Sequence, residues 1–363
     1  MRKFLLSAAL LATPACGTDD GEGLTAPQLG TGDRSPGSVT FTPIATASNG
    51  LRQPRDLAFN PMRPEELWVV SYEDDSTLII SGAPGEARTF DKRIDGYAMH
   101  FMEQVTAIDF GADATTFGKP GTFGTCGESR NTYNGQAAMN DFTGPTLWSS
   151  DLTVFAKVNP HQLGSHLDML HNTPLCMGIV HEEANRYWAF NGLGGSIERY
   201  DFVTDDGIGN DEHGDGLTWR YTKGAVARVA NVPSHLAWDG ATSTLYIADT
   251  GNARIAKLDA LSGTPGAKVP THETPIQEMD GATLVTVVDG DVQKPSGIEL
   301  HDGLLFVTDN AASRILAFDL DGVLVNYLDT GIPAGALGGL NFGPDGKIYF
   351  VDMLGNRVLR VDP

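Results

Sequence analysis

Apolar and polar positions alternate with a two-residue period in short runs along most of this chain, and the runs recur at fixed offsets. In the C-terminal third, Pro233-Ser-His-Leu-Ala-Trp238 leads to Leu245-Tyr-Ile-Ala-Asp249, and Pro295-Ser-Gly-Ile-Glu-Leu300 leads to Leu305-Phe-Val-Thr-Asp309. Leu337-Gly-Gly-Leu-Asn-Phe342 leads in the same way to Ile348-Tyr-Phe-Val-Asp352. Each aspartate is followed at one offset by an arginine, giving Asp249 with Arg254, Asp309 with Arg314 and Asp352 with Arg357, and then by another alternating run such as Ile315-Leu-Ala-Phe318. A half-buried inner strand, a fully apolar second strand, a tight turn and a third strand opened by arginine make a blade, with the Asp and Arg placed to pair across the turn.

Upstream copies keep the spacing and lose the charges. Pro54-Arg-Asp-Leu-Ala-Phe59 precedes Leu67-Trp-Val-Val-Ser71, and Cys176-Met-Gly-Ile-Val-His181 precedes Tyr187-Trp-Ala-Phe-Asn191, with Ser71/Ser76 and Asn191/Ser196 in the Asp/Arg columns. A degenerate sixth unit has Val105–Phe110 as inner strand and Leu152–Ala156 as a later one. The pattern resembles the NHL repeat and implies an all-β, six-bladed NHL-like β-propeller. The chain stops after the third strand of its last unit, so the alternating segment from Val39 to Thr46 is expected to supply the missing outer strand and close the ring.

The N-terminus carries a different pattern. Met1-Arg2-Lys3, an apolar run from Phe4 to Ala12 and Thr13-Pro14-Ala15-Cys16 read as a secretory signal over residues 1–15, too short to span a membrane. Ala15-Cys16 resembles the lipobox of bacterial lipoproteins, which implies acylation of Cys16 and anchoring at the cell envelope; ordinary cleavage would leave a soluble periplasmic or secreted protein. Residues 16–38, rich in Gly, Thr, Asp and Pro, are expected to form a disordered tether before a propeller over 39–363. Export permits a disulfide, and with Cys16 set aside the remaining pair, Cys126 and Cys176, is expected to be bridged.

A formal charge of −21 without any Lys/Arg cluster disfavours nucleic acid and anionic headgroups. The expected partner is a small molecule or an envelope protein, with membrane contact through the lipid anchor only and a monomeric body.

Candidate chemistry falls in two places. Inner-strand residues line the axis of a propeller; the two columns after the proline position contain Arg55, Asp56, Thr106, Met177, Ser234, His235 and Ser296, and their many glycines predict a roomy channel. Two segments that break the spacing, 111–150 and 159–174, read as inserted rim loops. The second carries His166, Asp168, Met169 and His171, which with His100 upstream gather imidazole, thioether and carboxylate donors suited to copper or zinc. His181 aligns with Phe59 and is expected in blade packing. The Gly-spaced acidic stretch Asp205–Asp215, with Asp206, Asn210 and Asp211, is a calcium candidate. The propeller also resembles the peptidylglycine amidating lyases, whose catalytic zinc sits on channel histidines after proline; here only Pro233-Ser234-His235 approaches that pattern. No Gly-x-Ser-x-Gly, His-Glu-x-x-His or phosphate loop is present. The reading is therefore an envelope binding protein for a small ligand, metal ion or partner protein, with a metal-dependent lyase or hydrolase as the alternative.

Overall fold

The computed structural model describes residues 24–82, 87–111, 121–132, 138–271 and 273–363. Residues 1–15, read as an export signal, and Cys16 lie outside the described residues, and no helix within the described residues is long and apolar enough to cross a membrane.

Six antiparallel sheets stand in a ring as a six-bladed β-propeller. Blade 1 is Pro54–Phe59, Glu66–Ser71, Ser76–Ser81 and Thr89–Ile94; blade 2 is Val105–Phe110, Thr122–Gly127, Thr146–Ser149 and His166–Met169. Blade 3 is Cys176–Glu183, Arg186–Asn191, Ser196–Asp201 and Leu217–Tyr221; blade 4 is Leu236–Asp239, Thr244–Asp249, Arg254–Asp259 and Leu284–Asp289. Blade 5 is Pro295–His301, Leu304–Asp309, Arg314–Asp319 and Leu324–Asp329, and blade 6 is Leu337–Phe342, Ile348–Asp352 and Arg357–Asp362.

The alternation explains the packing. Strands with side chains on two faces must bury both, and each blade does so against its two neighbours, so the core is divided among the blade interfaces. Leu67, Val69, Leu78 and Ile80 of blade 1 pack on Tyr349 and Val351 of blade 6, whereas Trp68, Val70 and Ile79 face Phe110, Phe123 and Trp148 of blade 2. Thr40–Ala45 pairs antiparallel with Arg357–Asp362, from Thr40 opposite Asp362 to Ala45 opposite Val358, and completes blade 6 as the alternating pattern predicts. Ile44 and Ala45 are buried there.

Several expectations are corrected. The tether reading fails from Leu24 onward: Ala26 and Leu29 are buried against Leu304, Phe306 and Leu359, so two apolar residues in a Gly/Pro-rich stretch suffice to dock it. Residues 152–156 form turns, because the third and fourth strands of blade 2 are Thr146–Ser149 and His166–Met169, inside the segments read as rim insertions. The real excursion is in blade 4, whose chain leaves after Arg254–Asp259 to form a hairpin, Thr264–Val269 with Ile276–Asp280, that joins the outer edge of blade 3 in parallel with Leu217–Tyr221. The Asp/Arg columns are paired residues in every case, and Arg254–Asp249 and Arg357–Asp352 are ion pairs at 2.7 Å. Arg314 instead pairs with Asp329, while Asp309 accepts backbone N–H groups of Gln293, Lys294, Ala311 and Ala312.

Cys126 on the second strand of blade 2 and Cys176 on the first strand of blade 3 are disulfide-bonded across the blade interface.

Candidate functional sites

The axis is narrow where the sequence predicted it roomy. Thr106, Ser234 and Ser296 are buried: Thr106 Oγ1 donates to Cys176 O at 2.8 Å and Ser296 Oγ to Leu337 O at 3.0 Å on the next blade, while Ser234 Oγ meets Thr250 Oγ1 of its own blade at 2.6 Å, and Thr250 Oγ1 in turn donates to Pro295 O of blade 5 at 2.5 Å. They lock each inner strand to the next, and Met177 is packed in the blade 3–4 core. The glycines mark close approach: a Cβ on Gly178 would lie 2.3 Å from Ser234 O, and one on Gly339 would lie 2.1 Å from Asp56 Oδ1. Arg55 turns toward the end of the axis where the inner strands begin, donating to Asn231 O at 2.6 Å with its guanidinium 4.2 Å from the Tyr72 ring centre.

At the other end lies a cavity of about 230 Å³ bordered by residues from the inner strands of all six blades. Asp56 and His235 sit at its base, and Asp109, Glu299 and Asn341 come from one column, two residues further along their strands. Sequence reading stopped at the earlier columns; the available signal was a polar residue breaking the apolar run in VTAIDF, PSGIEL and LGGLNF. His181 borders the same cavity while its ring also packs on Tyr187, 5.1 Å between centres, and its backbone N–H donates to Asp109 Oδ2 at 2.7 Å. Among the described residues, no lysine or arginine is in the lining.

The electrostatics follow from crowding three carboxyls out of bulk water. Burial pushes Glu299 up to about 8, with the charges of Asp109 and Asp56 adding to it and Asn341 opposing. Burial raises Asp109 to about 6 against the His181 N–H and charge. Asp56 is pushed well above the usual carboxylate range by burial, although Ile108 N–H and Leu57 N–H donate to it at 3.0 and 2.8 Å. His235 is lowered to about 4 by burial; its Nε2 meets Thr106 O at 3.1 Å, so it is a neutral imidazole with the proton on Nε2, and its Nδ1 lies 3.5 Å from Asp56 Oδ1.

The second candidate group is assembled at the periphery. His166 and Asp168 are alternate residues on the outer strand of blade 2 and therefore share a face, while Met169 turns into the core with Trp68 and Phe101 and leaves the donor set. His171 follows that strand, His100 comes from the single helical turn Ala98–Phe101, and His213 from the segment after the third strand of blade 3. His100 Nε2 and His171 Nε2 are 3.4 Å apart, and the His213 ring centre is 5.7 Å from those of both His166 and His171. Asp206 turns inward to His213 Nδ1 at 2.9 Å, while Asn210 and Asp211 remain exposed, so the acidic stretch does not wrap a common centre as a calcium loop would. Burial lowers His100 to about 3 and His166 to about 4, in both cases helped by the neighbouring imidazoles. Asp168 is raised to about 7 by burial. His213 is raised to about 9 because Asp168 and Asp206 outweigh its burial.

The fold thus defines a six-bladed propeller with an acidic channel mouth. No protein-family model matches the chain, and no curated protein matches it in sequence. Solved structures share the fold: an auxiliary nutrient binding protein from Bacteroides thetaiotaomicron has 13% identity over 89% of this chain and 76% of its own, with a TM-score of 0.54. An auxiliary nutrient binding protein from Bacteroides ovatus has 12% identity over 90% and 76%, TM-score 0.53. A putative phosphatase from Bacteroides thetaiotaomicron has 10% identity over 89% and 78%, TM-score 0.56.

Proposed function

We propose that this chain is an exported binding propeller, tethered to the envelope through Cys16, that captures a small cationic ligand in the acidic mouth of its channel. The observation that carries this reading is the convergence of Asp56, Asp109 and Glu299 on one cavity whose lining holds no lysine or arginine among the described residues. Burial disfavours the charged forms of these carboxyls, so a bound cation, which favours them, substitutes for the water they have lost. Asn341 adds an amide group to the same cavity. The Cys126–Cys176 disulfide supports an oxidising compartment and so export. Propellers described as nutrient-binding have the same architecture.

Calorimetric titration of the mature chain at about pH 8 with calcium, magnesium, choline and spermidine tests it. One of these should bind and lose roughly thirtyfold or more in affinity in Asp109→Asn/Glu299→Gln, the consequence of removing a buried charge partner worth about 2 kcal/mol. A divalent ion as the binder identifies a metal site, choline or spermidine an ammonium site. Absence of binding by all four, or equal binding by the variant, defeats the reading.

A further inference from the structure

The peripheral histidine group is independent of the channel; within it Asp168, Asp206 and His213 bring donor atoms within 4.8 Å of one another, and His100, His166 and His171 surround them. We propose that His100, His166, His171, His213 and Asp168 hold one divalent transition-metal ion of the zinc class, positioned by Asp206, Glu273 and the Leu163 carbonyl.

Three observations converge on this assignment. The first is ring orientation. His166 Nδ1 meets Leu163 O at 2.9 Å, His171 Nδ1 meets Glu273 Oε1 at 2.5 Å, and His213 Nδ1 meets Asp206 Oδ2 at 2.9 Å. Metal-ligating imidazoles are held in this way, one nitrogen on a carbonyl or carboxylate so that the other is presented to the ion. The second is spacing: two nitrogens at about 2.0–2.1 Å from a tetrahedral ion are separated by about 3.3–3.4 Å, and His100 Nε2 and His171 Nε2 are 3.4 Å apart.

The third is unmet bonding in a closed site. His166 and Asp168 are fully buried, yet His166 Nε2 and Asp168 Oδ2 make no hydrogen bond. His213 Nδ1 is shared between Asp206 Oδ2 at 2.9 Å and Asp168 Oδ1 at 3.2 Å, which leaves Asp168 Oδ2 as the carboxylate oxygen without a partner. Orphaned buried polar atoms cost about 1–3 kcal/mol each, and an ion bound to them removes that cost. With Met169 turned away, the remaining donors are imidazole and carboxylate, the set that suits zinc better than a soft cuprous ion.

The ligands arrive from the blade 1–2 connection, blade 2 and blade 3, and Glu273 from the blade 4 hairpin. All five proposed ligands are less than 9% exposed, so the ion would fasten these segments together and has little open surface for substrate.

The test is metal binding to the full mature chain after chelation and dialysis. Zinc should bind in one equivalent by elemental analysis, and cobalt(II) should give the visible bands of a four- or five-coordinate imidazole and carboxylate site. His166→Gln/His171→Gln should lose the bound ion, and Glu273→Gln, which removes only the orienting carboxylate, should weaken affinity about 10–100-fold. The channel variant Asp109→Asn/Glu299→Gln should keep the ion, so this proposal and the channel reading fail separately. Near-ultraviolet circular dichroism checks the folding of each variant, and the cobalt spectrum of the wild type needs no variant at all. Wild-type protein that takes up neither zinc nor cobalt, or a double histidine variant that retains stoichiometric metal, would overturn the assignment.

Discussion

Replacing Glu299 by glutamine isolates the electrostatic cost of the channel mouth. Glu299 is carried from 4.5 to about 8 in the folded protein, so between those values the native state binds a proton that the unfolded chain has released. Stability contributed by this group therefore falls as pH rises from about 4.5 to about 8, the reverse of an ion-paired carboxylate. At 1.36 kcal/mol per pH unit the full effect is about 5 kcal/mol, and water entering an open mouth reduces it to about 2–3 kcal/mol. Glutamine mimics the neutral acid at every pH. Urea denaturation of metal-free protein should give equal stabilities for wild type and Glu299→Gln near pH 4.5, and a variant about 2–3 kcal/mol more stable near pH 8.5. Adding the cognate cation should reverse the order at high pH, because only the wild type gains a full charge partner. A stability gap that does not grow with pH would refute the argument that Glu299 is held neutral by burial beside Asp109 and Asp56.

The ring closure gives a test of opposite sign: burial would raise Asp362, but bonds from Lys347, Thr42 and Arg360 hold it at about 2, so Asp362→Asn should cost about 2 kcal/mol at neutral pH. That difference should vanish as pH falls from about 4 to about 2, read by denaturant unfolding. Deleting residues 24–45 bares the edge of Arg357–Asp362 and removes Ala26, Leu29, Ile44 and Ala45 from the core, and light scattering should show self-association; a stable monomer with unchanged melting would contradict closure by this strand. Cys126→Ser/Cys176→Ser opens a loop with a sequence separation of 50 and should lower unfolding stability by about 4 kcal/mol on chain entropy alone, measured against reduced wild type, in which the difference should disappear.

The amino-acid sequence by itself determined the blades, because a period of two and a fixed Asp/Arg offset are local: they set which face of each strand is apolar and where each turn lies, as Asp249–Arg254 and Asp352–Arg357 show. It also contained the closing strand, since Thr40–Ala45 alternates and the last unit is one strand short, and the Cys126–Cys176 pair. It misjudged blade 2, where Thr146–Ser149 and His166–Met169 are short strands with irregular spacing, and the segment from Leu24 to Ser38, whose docking depends on two apolar residues that composition averages away. Tertiary structure alone decided the sites. Thr106 and Ser296 look like channel polar groups until the blades close and their hydroxyls meet the next blade's carbonyls, whereas Asp109, Glu299 and Asn341 become neighbours only through the ring. His100, His171 and His213 lie far apart in the chain and meet because blades 1 to 3 bring their connections to one place, and Glu273 reaches His171 only because a hairpin of blade 4 crosses to blade 3. Periodicity specifies the direction of a side chain within its own strand; which atoms it finally faces depends on ring closure and on the paths of the connecting segments.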